Sequence, residues 1–362
     1  MEAVKYKVTW KTFLLPLIGI VAFLIYLYVF NVDILEIIAT IKTIDLSLYL
    51  LGALFIFVET LFYSVSWRAL LSFLHVRISV LKSYLYVWYG IYMDIIIPAE
   101  SISGEITRVY LVTREKNGSH GQVVASLVTH RLMGMGVSIC SLIGGTVFLL
   151  TEGQVGGLVL ELTLFLLLAT TIILLLLMLL CVKEEWTLRI IDIIIRLTER
   201  ISRGRWKLKI REEALKAARM FHDSMKEFAH APKTMVASSV FFLLSWSLSM
   251  SVSYLVFLSL GYRISWSVII VTTSIVVAVK SIPIGIPFEV GLPEITMTTL
   301  YILLGVPASI AATGTVLNRI LTLWLRFFVG FASQQWLEFR AIAESKTDNK
   351  GSDSVAKVLL GR

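Results

Sequence analysis

Two long apolar runs constrain this chain more than any other feature. Residues 158–182 read LVLELTLFLLLATTIILLLLMLLCV, and residues 13–30 read FLLPLIGIVAFLIYLYVF. An α-helix rises about 1.5 Å per residue, so either run is long enough to cross roughly 30 Å of hydrocarbon. With 57% hydrophobic and 16% charged residues, the chain lacks the polar surface of a soluble domain of this size. The sequence therefore predicts an all-α polytopic membrane protein.

The positive charges are unevenly distributed along the chain. The formal net charge is +8, and lysine and arginine cluster at the N-terminus, at 68–82, at 114–116 and above all at 183–233. Basic loops of membrane proteins are retained in the cytoplasm, so we expect these segments and both termini to be cytoplasmic. This distribution explains the basic character without a nucleic-acid partner. The expected location is the cell membrane, with the lipid bilayer as the surrounding partner.

Six segments are predicted to span the membrane fully, and two more are interrupted by polar turns. The full spans are placed at about 13–30, 46–66, 120–150, 158–182, 235–260 and 308–332. The interrupted segments, 81–116 and 266–305, are expected to be opposed re-entrant hairpins, because only then do the flanking cations stay on the cytoplasmic side. The predicted units are the first span and outer linker (1–45), a first half (46–182), a cytoplasmic amphipathic basic linker (183–233), a second half (234–340) and a disordered tail (341–362).

An internal repeat is the most specific signal in the sequence. At an offset of 189 residues, DIIIPAESISGEITRVYL (94–111) aligns with PIGIPFEVGLPEITMTTL (283–300), and both contain P-x-E-x-x-x-x-E-I-T. Three full spans are predicted between the two copies, so the copies enter from opposite faces. Such inverted repeats are typical of secondary transporters, in which broken helices meet at a substrate near the bilayer midplane. The same offset places His130 opposite Arg319.

Charged residues inside the apolar segments are the candidate functional residues, because burying them in a membrane is costly. Arginine suits phosphate, since its planar fork donates two hydrogen bonds at once. The substrate-binding candidates are Arg108, Arg131, Arg319, Glu105 and Glu294. The alternative for the arginines is ion pairing with the glutamates, and Glu105 and Glu294 also suit the first turn of a helix.

A second group of candidates would couple transport to an ion or act as gates. They are Glu100, Glu289, Asp94, His130 and Lys280. Glu100 and Glu289 occupy matching positions in the two turns. A spacing of seven places Arg326 on the same helix face as Arg319. Glu59 is expected to be a packed partner. We predict no catalytic residue, no metal site and no cofactor; Cys140 and Cys181 lack disulfide or metal-ligand spacing.

Several stretches together resemble a known family. They are WRALLSFLHVRIS, IPAESISGEITRVYLVTRE, the charged pair in THR, and IPIGIPFEVGLPEITMTTLYILLGVP followed by LNR. Over about 45–335 the chain resembles the flippase-like family named for the membrane region of lysylphosphatidylglycerol synthase. Gly104, Glu105 and Arg108, with Arg131, Glu294 and Arg319, carry most of the match. Relatives usually have asparagine where Asp94 stands and shorter, less acidic turns.

The resemblance implies a stand-alone lipid flippase that moves a lipid with an anionic or aminoacylated headgroup, of the phospholipid or polyprenyl-phosphate type. On this hypothesis a membrane lipid is the substrate, and protons are the expected coupling ion. Two alternatives share these features. One is an integral membrane transferase that acts on polyprenyl-phosphate-linked sugars and uses an embedded carboxylate as base. The other is an ion-coupled carrier of a small solute.

Overall fold

A computed structural model describes residues 39, 42–97, 102–115, 118–153, 157–201, 209–280 and 291–341. All regular elements within these ranges are helices, as the sequence predicts. Five of the helices are long and apolar enough to cross a membrane. They are α1 (Leu46–Phe73), α4 (His120–Thr151), α5 (Gly157–Val182), α8 (Pro232–Ser259) and α11 (Ala308–Ala341). They coincide with five of the six predicted spans, and the sixth, 13–30, lies outside the described residues.

Four shorter helices occupy the two interrupted segments. In the first half these are α2 (Val80–Ile96) and α3 (Ile102–Arg114), and in the second half they are α9 (Trp266–Lys280) and α10 (Leu292–Leu303). Three of the four have fewer than the roughly 17 residues that a spanning helix needs, and α2 only just reaches that length. Each short helix packs against the other member of its pair. The helix order of the first half, α1 to α4, therefore recurs in the second half as α8 to α11.

The most extensive helix–helix packing in the described residues is between α1 and α8, which run antiparallel. Ser66 Oγ donates to the Ser238 carbonyl oxygen at 2.8 Å, and Ser238 Oγ donates back to the Ser66 carbonyl oxygen at 3.0 Å. Further along, Ser245 Oγ lies 3.4 Å from Glu59 Oε1. Residues closer to the N-terminus of α1 therefore face residues closer to the C-terminus of α8, so the two helices are antiparallel. Small polar residues suit such a crossing, because they let helices approach closely and bond to each other.

Two amphipathic helices, α6 (Glu184–Ile201) and α7 (Lys209–Ala229), occupy the predicted basic linker. Helix α7 packs against α4 so closely that a Cβ on Gly121 would lie 2.4 Å from the Ala217 carbonyl oxygen. Its His222 Nδ1 lies 3.1 Å from the carbonyl oxygen of Cys181, near the end of α5. The linker is therefore anchored directly on the helices of the first half.

Candidate functional site

The first short helix pair is held together by a carboxylate and two glycines. Asp94, in the last turn of α2, accepts hydrogen bonds from the Gly104 N–H at 2.6 Å and from Ser103 Oγ at 2.8 Å, both in the first turn of α3. The bond from Gly104 satisfies a backbone donor that the helix start leaves unpaired. A Cβ on Gly104 would lie 2.5 Å from the Gly90 carbonyl oxygen. Asp94, a predicted coupling or gate residue, is thus placed where it caps α3 from the neighbouring helix.

Arg108 lies one turn further along α3 and is buried, with 5% of its surface exposed. Its Nε donates to the Gly104 carbonyl oxygen at 3.3 Å. The guanidinium carbon lies 5.9 Å from the ring centroid of Tyr63 and 5.5 Å from that of Trp67, within the range of cation–π attraction. Its buried Nη1 has no hydrogen-bond partner among the described residues. A buried donor without an acceptor is costly, so this atom favours the approach of an anionic oxygen.

A glutamate–arginine pair links α3 to α4. Arg131 Nη1 lies 3.3 Å and 3.4 Å from the two carboxylate oxygens of Glu105. The two side chains remain partly accessible, with 33% of Arg131 and 22% of Glu105 exposed. The sequence predicted both residues as substrate contacts, with internal ion pairing as the alternative. In this structure they are paired, and Arg131 keeps an exposed part on which an anion can be bound.

A second glutamate–arginine pair links α10 to α11 in the same way. Arg319 Nε lies 2.6 Å from Glu294 Oε1, and Glu294 Oε2 accepts a hydrogen bond from the Gly291 N–H at 2.7 Å. Here the side chains are buried, with 9% of Arg319 and 2% of Glu294 exposed. Glu294 therefore combines the two tasks that Asp94 and Glu105 divide in the first half, capping a short helix and binding the arginine of the next long helix.

The helix bounds correct one detail of the repeat. Five residues, 115–119, connect α3 to α4, whereas four residues, 304–307, connect α10 to α11. Beyond these connections the offset between the halves is 188 rather than 189, so the counterpart of Arg319 is Arg131. The sequence alignment at constant offset had placed His130 there. The ion pairs agree with the corrected register, because Arg131 and Arg319 each bind the glutamate of the preceding short helix.

Of the predicted coupling residues other than Asp94, His130 lies apart from these pairs, and the rest are wholly or partly outside the described residues. His130 is 2% exposed, and its Nε2 lies 3.1 Å from Ser66 Oγ. Its ring packs edge-on against Tyr63, with centroids 4.5 Å apart, so it has the surroundings of a core histidine. Lys280 ends α9. The side chain of Lys280, and the whole of Glu100 and Glu289, fall outside the described part of the chain.

A third embedded pair was not predicted as a site. Arg326 Nη2 lies 2.9 Å from Glu59 Oε2, which also accepts a hydrogen bond from Thr60 Oγ1 at 3.2 Å. The sequence placed Arg326 on one face with Arg319, but residues Ile320–Leu325 form a π-helical turn with i→i+5 bonding, and the two arginines bind carboxylates on different helices. A glutamate inside an apolar span was the available signal, because such a group needs a partner.

The described residues contain no group of three or more histidine, cysteine, aspartate or glutamate side chains arranged to hold a metal ion. In this part of the chain the embedded charges are instead arranged as glutamate–arginine pairs and the buried Arg108. Guanidinium groups of this kind can bind an anionic group through charge-assisted hydrogen bonds.

Comparison with known proteins places this arrangement in a family. The family model described as the lysylphosphatidylglycerol synthase TM region matches residues 15–330. The chain belongs to this family. A UPF0104 membrane protein from Pyrococcus horikoshii, 24% identical over 328 residues, is similar over 88% of this chain and 95% of its own length. The family match confirms the resemblance drawn from the sequence. It includes all three glutamate–arginine pairs, so the site lies within the lysylphosphatidylglycerol synthase TM region.

Proposed function

We propose that this protein moves a lipid with an anionic headgroup, aminoacylated or not, between the leaflets of the cell membrane. The observation that carries the proposal is the matched pair of glutamate–arginine contacts, Glu105–Arg131 and Glu294–Arg319, one on each pair of short helices. Arginines held beside the first turns of the short helices are suited to a phosphate, and the carboxylates of Glu105 and Glu294 neutralise them when no substrate is bound.

An inverted repeat with two opposed re-entrant hairpins is part of this proposal. Three features support it: the helix order repeats, the short helices are paired, and α1 and α8 run antiparallel with reciprocal serine bonds. In such an architecture non-helical backbone is tolerated inside the membrane where it lines a protein-walled cavity. The interrupted segments then meet from opposite sides, and a headgroup crosses between them while its acyl chains stay in the bilayer.

Buried Arg108 supports an anionic rather than a neutral headgroup. Its Nη1 lacks an acceptor among the described residues, while the rings of Tyr63 and Trp67 stabilise its charge from the sides. A phosphate oxygen at this atom would supply the missing bond. The partly exposed Arg131 on the adjacent helix would then supply the second donor group, with Glu105 released from it.

The direct test is reconstitution of the purified protein into liposomes with fluorescent headgroup-labelled phosphatidylglycerol, phosphatidylethanolamine or polyprenyl phosphate. Bleaching with an impermeant reductant measures movement between leaflets. We expect movement of the anionic lipids, and its loss in Arg131→Gln and Arg319→Gln with folded protein retained. Lysine at either position should restore only part of the rate, because it lacks the bidentate fork. Arg189→Gln, on the exposed face of α6, is the matched control and should keep the full rate.

The same reconstitution separates the two alternatives. A chemically altered lipid, seen by mass spectrometry, would establish a transferase that uses an embedded carboxylate as base. Uptake of a small solute without either result would establish an ion-coupled carrier. Full activity in both arginine-to-glutamine variants would contradict the headgroup site, whichever lipid is moved.

A further inference from the structure

Glu59 occupies the centre of the antiparallel crossing between the two halves. Glu59 lies in α1, and its Oε1 is 3.4 Å from the Oγ of Ser245 in α8. Seven residues away on either helix, in opposite directions, Ser66 and Ser238 bond to each other. Its own ion-pair partner, Arg326, comes from the second half. Only 10% of the Glu59 side chain is exposed, so this pair fixes the last helix to the first half at a buried point.

The π-helical turn makes this contact and the Glu294–Arg319 contact compatible. In a continuous α-helix, residues seven apart lie within about 20° of the same direction, so both arginines would face one side. The turn at Ile320–Leu325 contains one more residue than an α-helical turn does, and it separates the two directions. Arg319 therefore binds within the second half, while Arg326 reaches α1. Such wide turns are frequent at functional sites.

Among the described residues, the first half has no ion pair equivalent to this contact, and α4 is instead joined to α8 by a hydrogen bond from Trp246 Nε1 to Ser141 Oγ at 2.9 Å. The offset of 188 relates α4 to α11 as far as Arg319, and the extra residue of the wide turn raises it to 189 beyond Leu325. The position of Arg326 therefore corresponds to Val137, and α4 is α-helical from His120 to Thr151. Inverted repeats reverse the side of access when the two halves exchange their arrangements. After such an exchange a valine would stand where Arg326 now stands. The ion pair therefore has no charged counterpart that could replace it after the exchange, so it stabilises the two access states unequally.

We propose that Glu59–Arg326 is a one-sided lock that holds the transporter in the access state of this structure, with residues 320–325 as its releasing joint. The inference rests on the proposed alternating-access function. Opening the lock leaves a buried carboxylate and a partly buried guanidinium unpaired, which disfavours the other state. Removing one charge of the pair removes this difference in free energy between the two access states, so the population shifts toward the other state.

Spin-label distance measurements test the lock without any transport assay. Labels at Val182→Cys and Phe339→Cys, both exposed positions, report on the end of α11 relative to α5, with Cys140 and Cys181 replaced. In liposomes, Glu59→Gln should raise the share of a second distance about tenfold or more over that of the parent. Arg326→Gln should do the same, and Arg326→Lys, which keeps the charge, should not.

Two further variants complete the test. Arg114→Gln, which removes a more exposed 3.7 Å contact with Glu338, is the control and should leave the distances unchanged. Deletion of the exposed Trp324 restores α-helical bonding between the arginines and should abolish the second distance. A parent-like distribution in both Glu59→Gln and Arg326→Gln would overturn the lock. A shift in these variants without lipid movement in the parent would instead retain the lock and reject the flippase.

Discussion

The two glutamate–arginine pairs differ in burial, and this difference predicts different costs when each is broken. Removing one partner of a buried ion pair leaves an uncompensated charge and costs about 3–5 kcal/mol. Glu294→Gln does this to Arg319, of which 9% is exposed. Glu105→Gln leaves Arg131 with 33% exposure, where ion pairs contribute about 0–1 kcal/mol. For 362 residues with an unfolding entropy of about 2.1 cal/mol/K each, these costs correspond to about 4–7 °C and at most about 1 °C in melting temperature.

Thermal unfolding of the purified protein in detergent, followed by intrinsic fluorescence, measures both shifts. Equal shifts for Glu294→Gln and Glu105→Gln would refute the assignment of a buried anchor and an accessible pair. The double variant Glu294→Gln/Arg319→Gln adds a second criterion. It removes the buried charge as well as its partner, so its melting temperature should lie above that of Glu294→Gln alone.

Two other predictions concern topology and coupling. A single cysteine beside Gly118 should be labelled by an impermeant reagent from the cytoplasmic side, and a single cysteine beside Gly153 should be labelled from the outside. Labelling of both cysteines from the same side would contradict the predicted orientation. Glu100→Gln and Glu289→Gln should each make lipid transport largely insensitive to an imposed pH gradient, and the double variant should add little. Retained pH dependence in both would mean that these acids are turn residues.

The sequence predicted the helical membrane architecture because hydrophobic run length alone decides it. Five predicted spans coincide with long helices, and α4 and α5 agree to within one residue at their ends. The short helices were also located, since polar turns and prolines interrupt the apolar pattern there. The candidate arginines and glutamates were found for a related reason. A charge in an apolar segment stands out, and it needs either a partner or a ligand.

The sequence offered ion pairing as an alternative, but it did not show which glutamate pairs with which arginine. That pairing depends on connection lengths and on the register between helices. A difference of one residue between the connections 115–119 and 304–307 decides that Arg131 rather than His130 corresponds to Arg319. The spacing of seven between Arg319 and Arg326 was interpreted as one helix face, which holds for α-helical bonding only. The wide turn between them changes that geometry, and local sequence preferences gave no sign of it.

The close crossing of α2 and α3 leads to a further prediction, with a glycine control in the same protein. A Cβ on Gly104 would lie 2.3 Å from Asp94 Oδ2 and 2.5 Å from the Gly90 carbonyl oxygen, and the latter belongs to the backbone. Gly104→Ala must therefore push the helices apart and weaken the Asp94 cap. Overpacking of this kind typically costs about 1–3 kcal/mol. In contrast, a Cβ on Gly144 of α4 would meet nothing within 4 Å.

We expect Gly104→Ala to lower the melting temperature and to abolish lipid movement, because Arg108 is oriented through its bond to the Gly104 carbonyl oxygen. Gly144→Ala should leave lipid movement unchanged and raise stability slightly, since alanine is favoured over glycine inside a helix by about 1 kcal/mol. Both quantities can be measured on the same preparations, by fluorescence-monitored melting and by the reductant assay in liposomes. A melting temperature and a rate of lipid movement like those of the parent in Gly104→Ala would show that α2 and α3 can separate without cost. The Asp94 cap on α3 would then not be what positions Arg108.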